Sequence, residues 1–350
     1  MIVDHSKVIN ILVIQLGGIG DVILTTPVFS ILRKTFSRVQ IHFLTSSLVK
    51  NLFVEDPRID QAITYPEPAG ALIKLIKFFL KIHSNQYDLV IDYQCTPGTA
   101  QVSWVSRATY RLGWKMRRRQ WAYNLFSEAN NSPNYVAVQK SKALEEIGIS
   151  EKTEKLKVYL NADTFNEVNE YFRETGIDQE SLLVNMTPVG QVQTRQWETE
   201  KYVALADLLI ERYKATVYFS GKREDQEYLK SLASRSNYGI RVLPVWPLHI
   251  FSAFLSKVDL HFSYDNGPKH LAIATGTSTL SLFATDPPFL WNPLDDPNHP
   301  CILADVPCKF CRLTECPLMI CMKSIEPEMV LTQIEDIPAI VQKLKPRKIS

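Results

Sequence analysis

The feature that most limits the fold is an apolar, β-branched run at residues 9–16 that ends on Gly17-Gly18-Ile19-Gly20-Asp21. A continuous apolar run of strand length is the kind buried on both faces of a parallel sheet. Beyond the glycines, Val22, Leu24, Val28, Ile31 and Leu32 recur with helical spacing over 22–36, and 39–44 reads as a second strand. Strand, turn, helix and strand in that order specify a right-handed βαβ unit. A helical segment at 71–83 then leads into another buried strand at 87–93 (YDLVIDY).

The second half restarts the pattern. Strands are expected at 181–186, 215–219, 258–264 and 279–283, and helices at 201–213, 249–255 and 268–275. Two such series, each opening on its own strand, predict an α/β protein of two Rossmann-like domains facing a central cleft. A chain of 350 residues suits two domains of about 150 to 180 residues each. The expected division is 1–165, 180–325 and a helical tail at 326–350, with the boundary in the polar stretch 155–180 around Asn161-Ala162-Asp163.

Hydrophobic residues make up 45% of the chain and charged ones 22%, an ordinary globular balance that gives no sign of disorder. A net charge of +2 gives no whole-molecule attraction for nucleic acid. The first residues lack a basic region, a long apolar core and a small-residue cleavage site, so no secretory signal is expected. No stretch reaches the roughly 18 apolar residues of a membrane span. A cytoplasmic protein is expected, with its six cysteines as thiols rather than disulfides.

Gly17, Gly18 and Gly20 stand where the first strand hands over to a helix, where glycine permits positive φ and close approach of a ligand. The spacing is not G-x-G-x-x-G, and no acidic residue follows the second strand at Leu44-Thr45, so a dinucleotide site is not indicated. No Gly-Lys-Ser/Thr follows, which excludes a P-loop. Asp21, at the helix start, has two readings: a carboxylate capping the helix, or a general base beside bare backbone.

The second turn, Asp265-Asn266-Gly267-Pro268-Lys269-His270, also follows a strand and opens a helix. Asp265 or Asn266 can cap that helix, and Pro268 suits its first turn. The same residues also describe an anion site suited to a diphosphate. His270 is either a core histidine or a phosphate contact. Arg195 lies in a loop where a guanidinium can read phosphate, and Glu224 follows a strand, where it can take a ribose hydroxyl.

These residues resemble a known family. ILVIQLGGIGDVILTTPVFSILRKTF is similar to the opening of the ADP-heptose:lipopolysaccharide heptosyltransferases (glycosyltransferase family 9), and YDNGPKHLAIATGTSTLSLFATDP resembles their donor-site signature. The resemblance covers roughly residues 8–330 and implies a GT-B fold with inverting, metal-independent transfer. It implies acceptor binding by 1–165, with the Gly17, Gly18 and Gly20 loop on that side, and nucleotide-sugar binding by 180–325. Asp21 falls on the family's proposed base, and Asp265, Asn266, Gly267, Pro268 and His270 fall on its donor-diphosphate loop. Arg195 stands where the family usually has lysine, and Glu224 where it has an acid near the ribose. The His-Pro-Gly-type segment is here Thr187-Pro188-Val189-Gly190. No Asp-x-Asp occurs in the chain.

The resemblance therefore implies a cytoplasmic transferase without cofactor, moving a heptose from ADP-heptose to a lipopolysaccharide core or other glycolipid. A family-9 enzyme using another nucleotide sugar, such as a UDP-sugar, is the alternative within the class. A nucleotide-sugar 2-epimerase of similar architecture and a non-catalytic binding protein stand outside it.

Three segments remain. Cys308, Cys311, Cys316 and Cys321 are close in sequence but do not form a paired CxxC pattern, so thiols are expected and structural zinc is the alternative. The helix at 71–83 sets Lys74, Lys77 and Lys81 beside leucines and phenylalanines. It is either a core helix with a solvated edge or a helix lying on the cytoplasmic face of an anionic inner membrane. Residues 114–121, with Lys115, Arg117, Arg118 and Arg119 between tryptophans, are either an acceptor contact or a solvated basic loop.

Overall fold

In the structure, a computed structural model that describes residues 3–66, 72–190 and 192–344, the apolar runs become the central strands of two separate sheets. The chain divides into two compact units, Met1–Tyr159 and Leu160–Ser350.

The first unit contains β1 (Asn10–Ile14), β2 (Gln40–Thr45), β3 (Gln61–Thr64), β4 (Leu89–Asp92), β5 (Tyr110–Trp114) and β6 (Leu125–Ser127). They lie in the order β3-β2-β1-β4-β5-β6, and every neighbouring pair is parallel. Its helices are α1 (Ile19–Ile23), α2 (Thr26–Thr35), α3 (Leu72–Ser84), α4 (Pro97–Val105) and α5 (Val136–Lys142).

The second unit repeats the plan with β7 (Leu183–Met186), β8 (Thr216–Phe219), β9 (Arg241–Val242), β10 (Leu260–Tyr264), β11 (Ser278–Phe283) and β12 (Cys301–Leu303). The order β12-β11-β10-β7-β8-β9, again all parallel, is the first unit's order read in reverse. Both are the Rossmann order, in which the chain leaves the first strand one way and returns on its other side. The helices are α6 (Ala162–Glu174), α7 (Thr199–Tyr213), α8 (Gln226–Ala233), α9 (Leu248–Leu255), α10 (Gly267–Thr275), α11 (Pro288–Trp291), α12 (Ile320–Lys323), α13 (Pro327–Glu335) and α14 (Pro338–Leu344).

Burial explains why the middle strands formed where the pattern placed them. Ile11 to Ile14 of β1 are wholly inaccessible, and every residue of β10 and β11 is buried. Such strands gain from burial on both faces, at about 25 cal/mol per Å² of apolar surface.

One expectation needed correction, and two other segments gained detail. The helix expected at 22–36 is two helices, α1 and α2. Pro27 has no N–H for the Ile23 carbonyl, and the Thr26 hydroxyl donates to that carbonyl instead, at 2.8 Å. The polar stretch after residue 160 contains α6, capped where Asn161 Oδ1 accepts from Thr164 N at 2.9 Å. The tail is interrupted before Pro338 and is part of the core. Val330, Leu331, Ile334, Ile337 and Ile340 are buried in one cluster with Trp197, Tyr202 and Phe262. The helix expected at 71–83 is α3, and Ala71 lies outside the described residues.

Because Ile334 is fully enclosed in that cluster, Ile334→Ala is expected to destabilise the second unit by about 2 to 4 kcal/mol. Chemical denaturation should show a lowered midpoint at unchanged slope; an unchanged midpoint would mean that the tail is not core.

Candidate active site

In an open parallel sheet, ligands bind beyond the carboxyl ends of the strands, where the order reverses. Here the reversals fall between β1 and β4 and between β7 and β10. The two motifs lie at those places.

In the first unit, β1 continues through Gln15 and Leu16 into the glycine turn. Gly17 is required by space: a Cβ there would lie 2.9 Å from Asp21 Oδ2 and 3.1 Å from Gln15 Nε2. Gly18 has nothing within 4 Å of its Cβ position, and none of the three turn glycines has a positive φ. The expected left-handed backbone is therefore absent, and close packing accounts for Gly17 alone. Gly18 occupies the N-cap position of α1 without a side-chain cap bond. Asp21, in the first turn of α1, thus does not cap the helix, and its carboxylate makes no hydrogen bond or ion pair among the described residues.

Behind this turn lies a buried ammonium that the sequence did not reveal. Lys140, from α5 and 4% exposed, donates from Nζ to Gln15 Oε1 at 2.9 Å, the Asp21 carbonyl at 2.6 Å and Thr25 Oγ1 at 2.9 Å. It lies 5.8 Å from the centre of the Tyr93 ring. All three acceptors are uncharged. Burial lowers its pKa to about 8, against a raising pull from Asp21.

Since an ammonium can only donate, Gln15 must turn its oxygen to Lys140 and its amide nitrogen away. That nitrogen donates to Gln94 Oε1 at 2.6 Å, and the same oxygen accepts from Leu16 N at 3.2 Å. Gln94 thereby ties the end of β4 to the turn after β1. Its own backbone is fixed by buried Asp92, whose Oδ1 accepts from Gln94 N and Cys95 N at 2.9 Å each, and whose Oδ2 accepts from Tyr123 Oη at 2.7 Å.

In the second unit, Asn266 is the cap of α10, with Oδ1 accepting from Lys269 N at 3.0 Å, and Pro268 lies in the first turn. Asp265 has a different partner. Its Oδ1 is 2.6 Å from the Nζ of Lys269, which is completely buried and also donates to the Trp291 carbonyl at 2.8 Å. Burial pushes the Asp265 carboxyl up, but Lys269 and His270 outweigh it and hold it well below the usual carboxylate range. His270 is buried, with Nε2 3.7 Å from Asp265 Oδ1 and its ring edge-on to Trp291. Gly267 begins the helix.

Arg195 ends a short 3-10 turn after β7, and its Nη2 lies 2.8 Å from Asp286 Oδ2, beyond β11. Its Nε has no hydrogen-bond partner among the described residues. At Gly190 a Cβ would fall 1.7 Å from the Tyr264 hydroxyl, which donates to the Val189 carbonyl at 3.0 Å. Glu224, beyond β8, is exposed, with Lys222 Nζ at 3.9 Å. The carboxyl ends of β7, β8, β10 and β11 thus carry Arg195, Glu224, Asp265 to His270, and Asp286.

Cys308, Cys311, Cys316 and Cys321 are free thiols, and among the described residues no three His, Cys, Asp or Glu are placed to hold a metal ion. In the 114–121 segment, Lys115 pairs with Glu128 and Arg119 donates to the Cys95 carbonyl at 2.7 Å, which leaves Arg117 and Arg118 exposed.

Two Rossmann-type sheets, each with a motif at its reversal point, define an α/β protein of the GT-B kind. Among solved structures, the chain is similar to a family 9 glycosyl transferase from Veillonella parvula (TM-score 0.83, 19% identity, covering 95% of this chain and 97% of that one). It is also similar to the Escherichia coli heptosyltransferase WaaC with ADP-2-deoxy-2-fluoro heptose (TM-score 0.71, 16% identity, 93% and 99%). In sequence it is 22% identical to lipopolysaccharide heptosyltransferase 1 of Campylobacter coli, over 80% of this chain and 85% of that protein. Residues 75–321 match the family described as Glycosyltransferase family 9 (heptosyltransferase). The chain belongs to that family and is a glycosyltransferase.

Asp265→Asn would leave Lys269 charged, buried and unpaired, with an expected loss of about 3 to 5 kcal/mol. Because the folded pKa of Asp265 is depressed, its contribution is present at neutral pH and is lost only as pH falls through that low value. Thermal melts of wild type and variant at pH 7 should show the gap; equal melting temperatures would refute the pairing.

Proposed function

We propose that this enzyme transfers a heptose from ADP-heptose to a sugar hydroxyl of a lipopolysaccharide core, with inversion and without a metal ion. The observation that carries the mechanism is the Asp21 carboxylate, which has no partner among the described residues although a buried ammonium lies behind its turn. The substrate classes rest on the relatives, one a lipopolysaccharide heptosyltransferase and one solved with an ADP-heptose analogue.

In this reading, the first unit binds the acceptor and the second the donor. Asp21 takes the proton from the acceptor hydroxyl as its oxygen bonds to the anomeric carbon. The bond from that carbon to the diphosphate oxygen breaks, and the nucleoside diphosphate leaves. Arg195, His270 and the first amides of α10 hold the charge that grows on the leaving group, an effect that commonly supplies the largest catalytic share. Glu224 takes a ribose hydroxyl. Asn266, Gly267 and Pro268 set the start of α10. Asp265 acts through Lys269, by fixing the loop rather than by touching phosphate. Lys140 is a positioning residue: it holds the backbone of Asp21 through the carbonyl.

The donor is tested by thermal shift with ADP-heptose, UDP-sugars and GDP-sugars. ADP-heptose alone should stabilise the protein, by about 2.7 kcal/mol at a hundred times its dissociation constant. Selective stabilisation by a UDP-sugar would leave the transferase reading intact and replace the donor.

The base is tested by Asp21→Ala, which should lower transfer about 10² to 10⁴-fold while donor affinity stays nearly intact; retained transfer would sink the mechanism. Lys140→Met should lower kcat on the order of 10 to 100-fold with KM for the donor unchanged. It should also remove a pH effect on stability. An unfolded lysine titrates near 10.4, so the unfolded chain holds the extra proton between pH about 8 and about 10, and native stability rises across that window.

A further inference from the structure

The helix α3 packs only one side inward. Phe78 and Ile82 are buried in the apolar cluster that includes Leu12, Ile14 and Val90, with Leu75 and Phe79 against it. The opposite side is not the polar face of an ordinary surface helix. Leu72, Ile73, Ile76 and Leu80 are 74%, 66%, 49% and 63% exposed. At 3.6 residues per turn they share one arc of about 100° of the helix surface. Lys77, Lys81 and Lys74 follow along one side of that arc, all exposed, and the helix contains no Asp or Glu. Next to α3 packs α4, where Trp104 is also exposed and meets Trp121 edge-on at 6.2 Å between ring centres.

Four large aliphatic side chains gathered on one exposed arc mark a surface that something covers. The lysines identify the occupant. A second copy of this chain would bring three cations against three. An anionic lipid surface satisfies both features, because the aliphatic arc enters the acyl boundary while the lysine stems extend to the headgroups. Exposed tryptophans also suit that depth. At 13 residues α3 is about 20 Å long, short of the roughly 30 Å hydrocarbon core, so it would lie along the surface. Among the described residues no helix is long and apolar enough to cross a membrane.

We propose that α3 docks this protein on the surface of an anionic lipid bilayer, with Leu72, Ile73, Ile76 and Leu80 inserted and Lys74, Lys77 and Lys81 at the headgroups. The attraction is local, since the whole chain carries only +2. It does not depend on the donor or on Asp21.

The test is flotation of the full chain with vesicles of phosphatidylglycerol and phosphatidylethanolamine, against vesicles of phosphatidylcholine alone. The protein should float with the anionic vesicles, bind the neutral ones at least about 10-fold more weakly, and be released by high salt. Ile76→Glu with Leu80→Glu should abolish flotation without changing the melting temperature, because both positions are exposed. Lys74→Gln, Lys77→Gln and Lys81→Gln together should weaken anionic binding on the order of 100-fold. The proposal is overturned if wild type does not float, if the glutamate variant floats equally well, or if wild type is a dimer that the glutamate variant dissolves.

Discussion

Each sheet reverses its strand order beside its first strand, and at each reversal the chain must hold two loops that leave in opposite directions. Side chains meet that requirement in both units. In the first, Gln94 beyond β4 accepts from Gln15 Nε2 and Leu16 N beyond β1. In the second, the Tyr264 hydroxyl at the end of β10 reaches the Val189 carbonyl beyond β7, over a glycine that leaves it room. The two turns are placed by these braces.

The two turns also share a buried lysine, and its pairing separates their chemistry. Lys269 has a carboxylate at 2.6 Å, so Asp265 and Lys269 cancel and the loop is electrically quiet. Lys140 has only neutral acceptors. A buried cation without a counter-charge is costly, by several kcal/mol after relaxation. The nearest offset the structure provides is the pull of Asp21, which raises the Lys140 pKa against burial. Removing the Asp21 charge therefore weakens Lys140's position. A fold that keeps such an arrangement gains little stability from it.

How much of this was legible in the sequence follows from burial and from sequence distance. Strands such as β1, β10 and β11, buried on both faces, appear as continuous apolar runs. Strands at an edge or next to one do not: edge strand β9 is Arg241–Val242, and β5, next to the edge strand β6, reads Tyr-Arg-Leu-Gly-Trp. The break between α1 and α2 follows from Pro27, which the sequence displays, but its satisfaction by two threonine hydroxyls, Thr25 to the Asp21 carbonyl and Thr26 to the Ile23 carbonyl, is seen only in the fold. At the site, the glycines and Asp21 are contiguous and could be read together. Lys140 is 119 residues from Asp21, and Gln94 is 79 from Gln15, so no local pattern announces either. Lys269 was inside the second motif, but a lysine reads as a surface residue. Only the fold shows that its ammonium is enclosed and that Asp265 is committed to it.

That commitment decides which groups at the second turn remain to meet an anion. With Asp265 and Lys269 neutral as a pair, positive potential comes from the free amides at the start of α10 and from Arg195. Arg195 is itself bonded to Asp286 through Nη2, while its Nε has no partner among the described residues. The Nε is buried, so a phosphate would meet the exposed end of this guanidinium, beside Asp286 or in its place. Either route is inexpensive, since a partly exposed ion pair is worth about 0 to 1 kcal/mol. A lysine at this position would have one nitrogen and would have to choose. Arginine's planar fork can keep Asp286 on one edge and meet an anion on another. The fork thus offers a second point of attachment that an ammonium lacks.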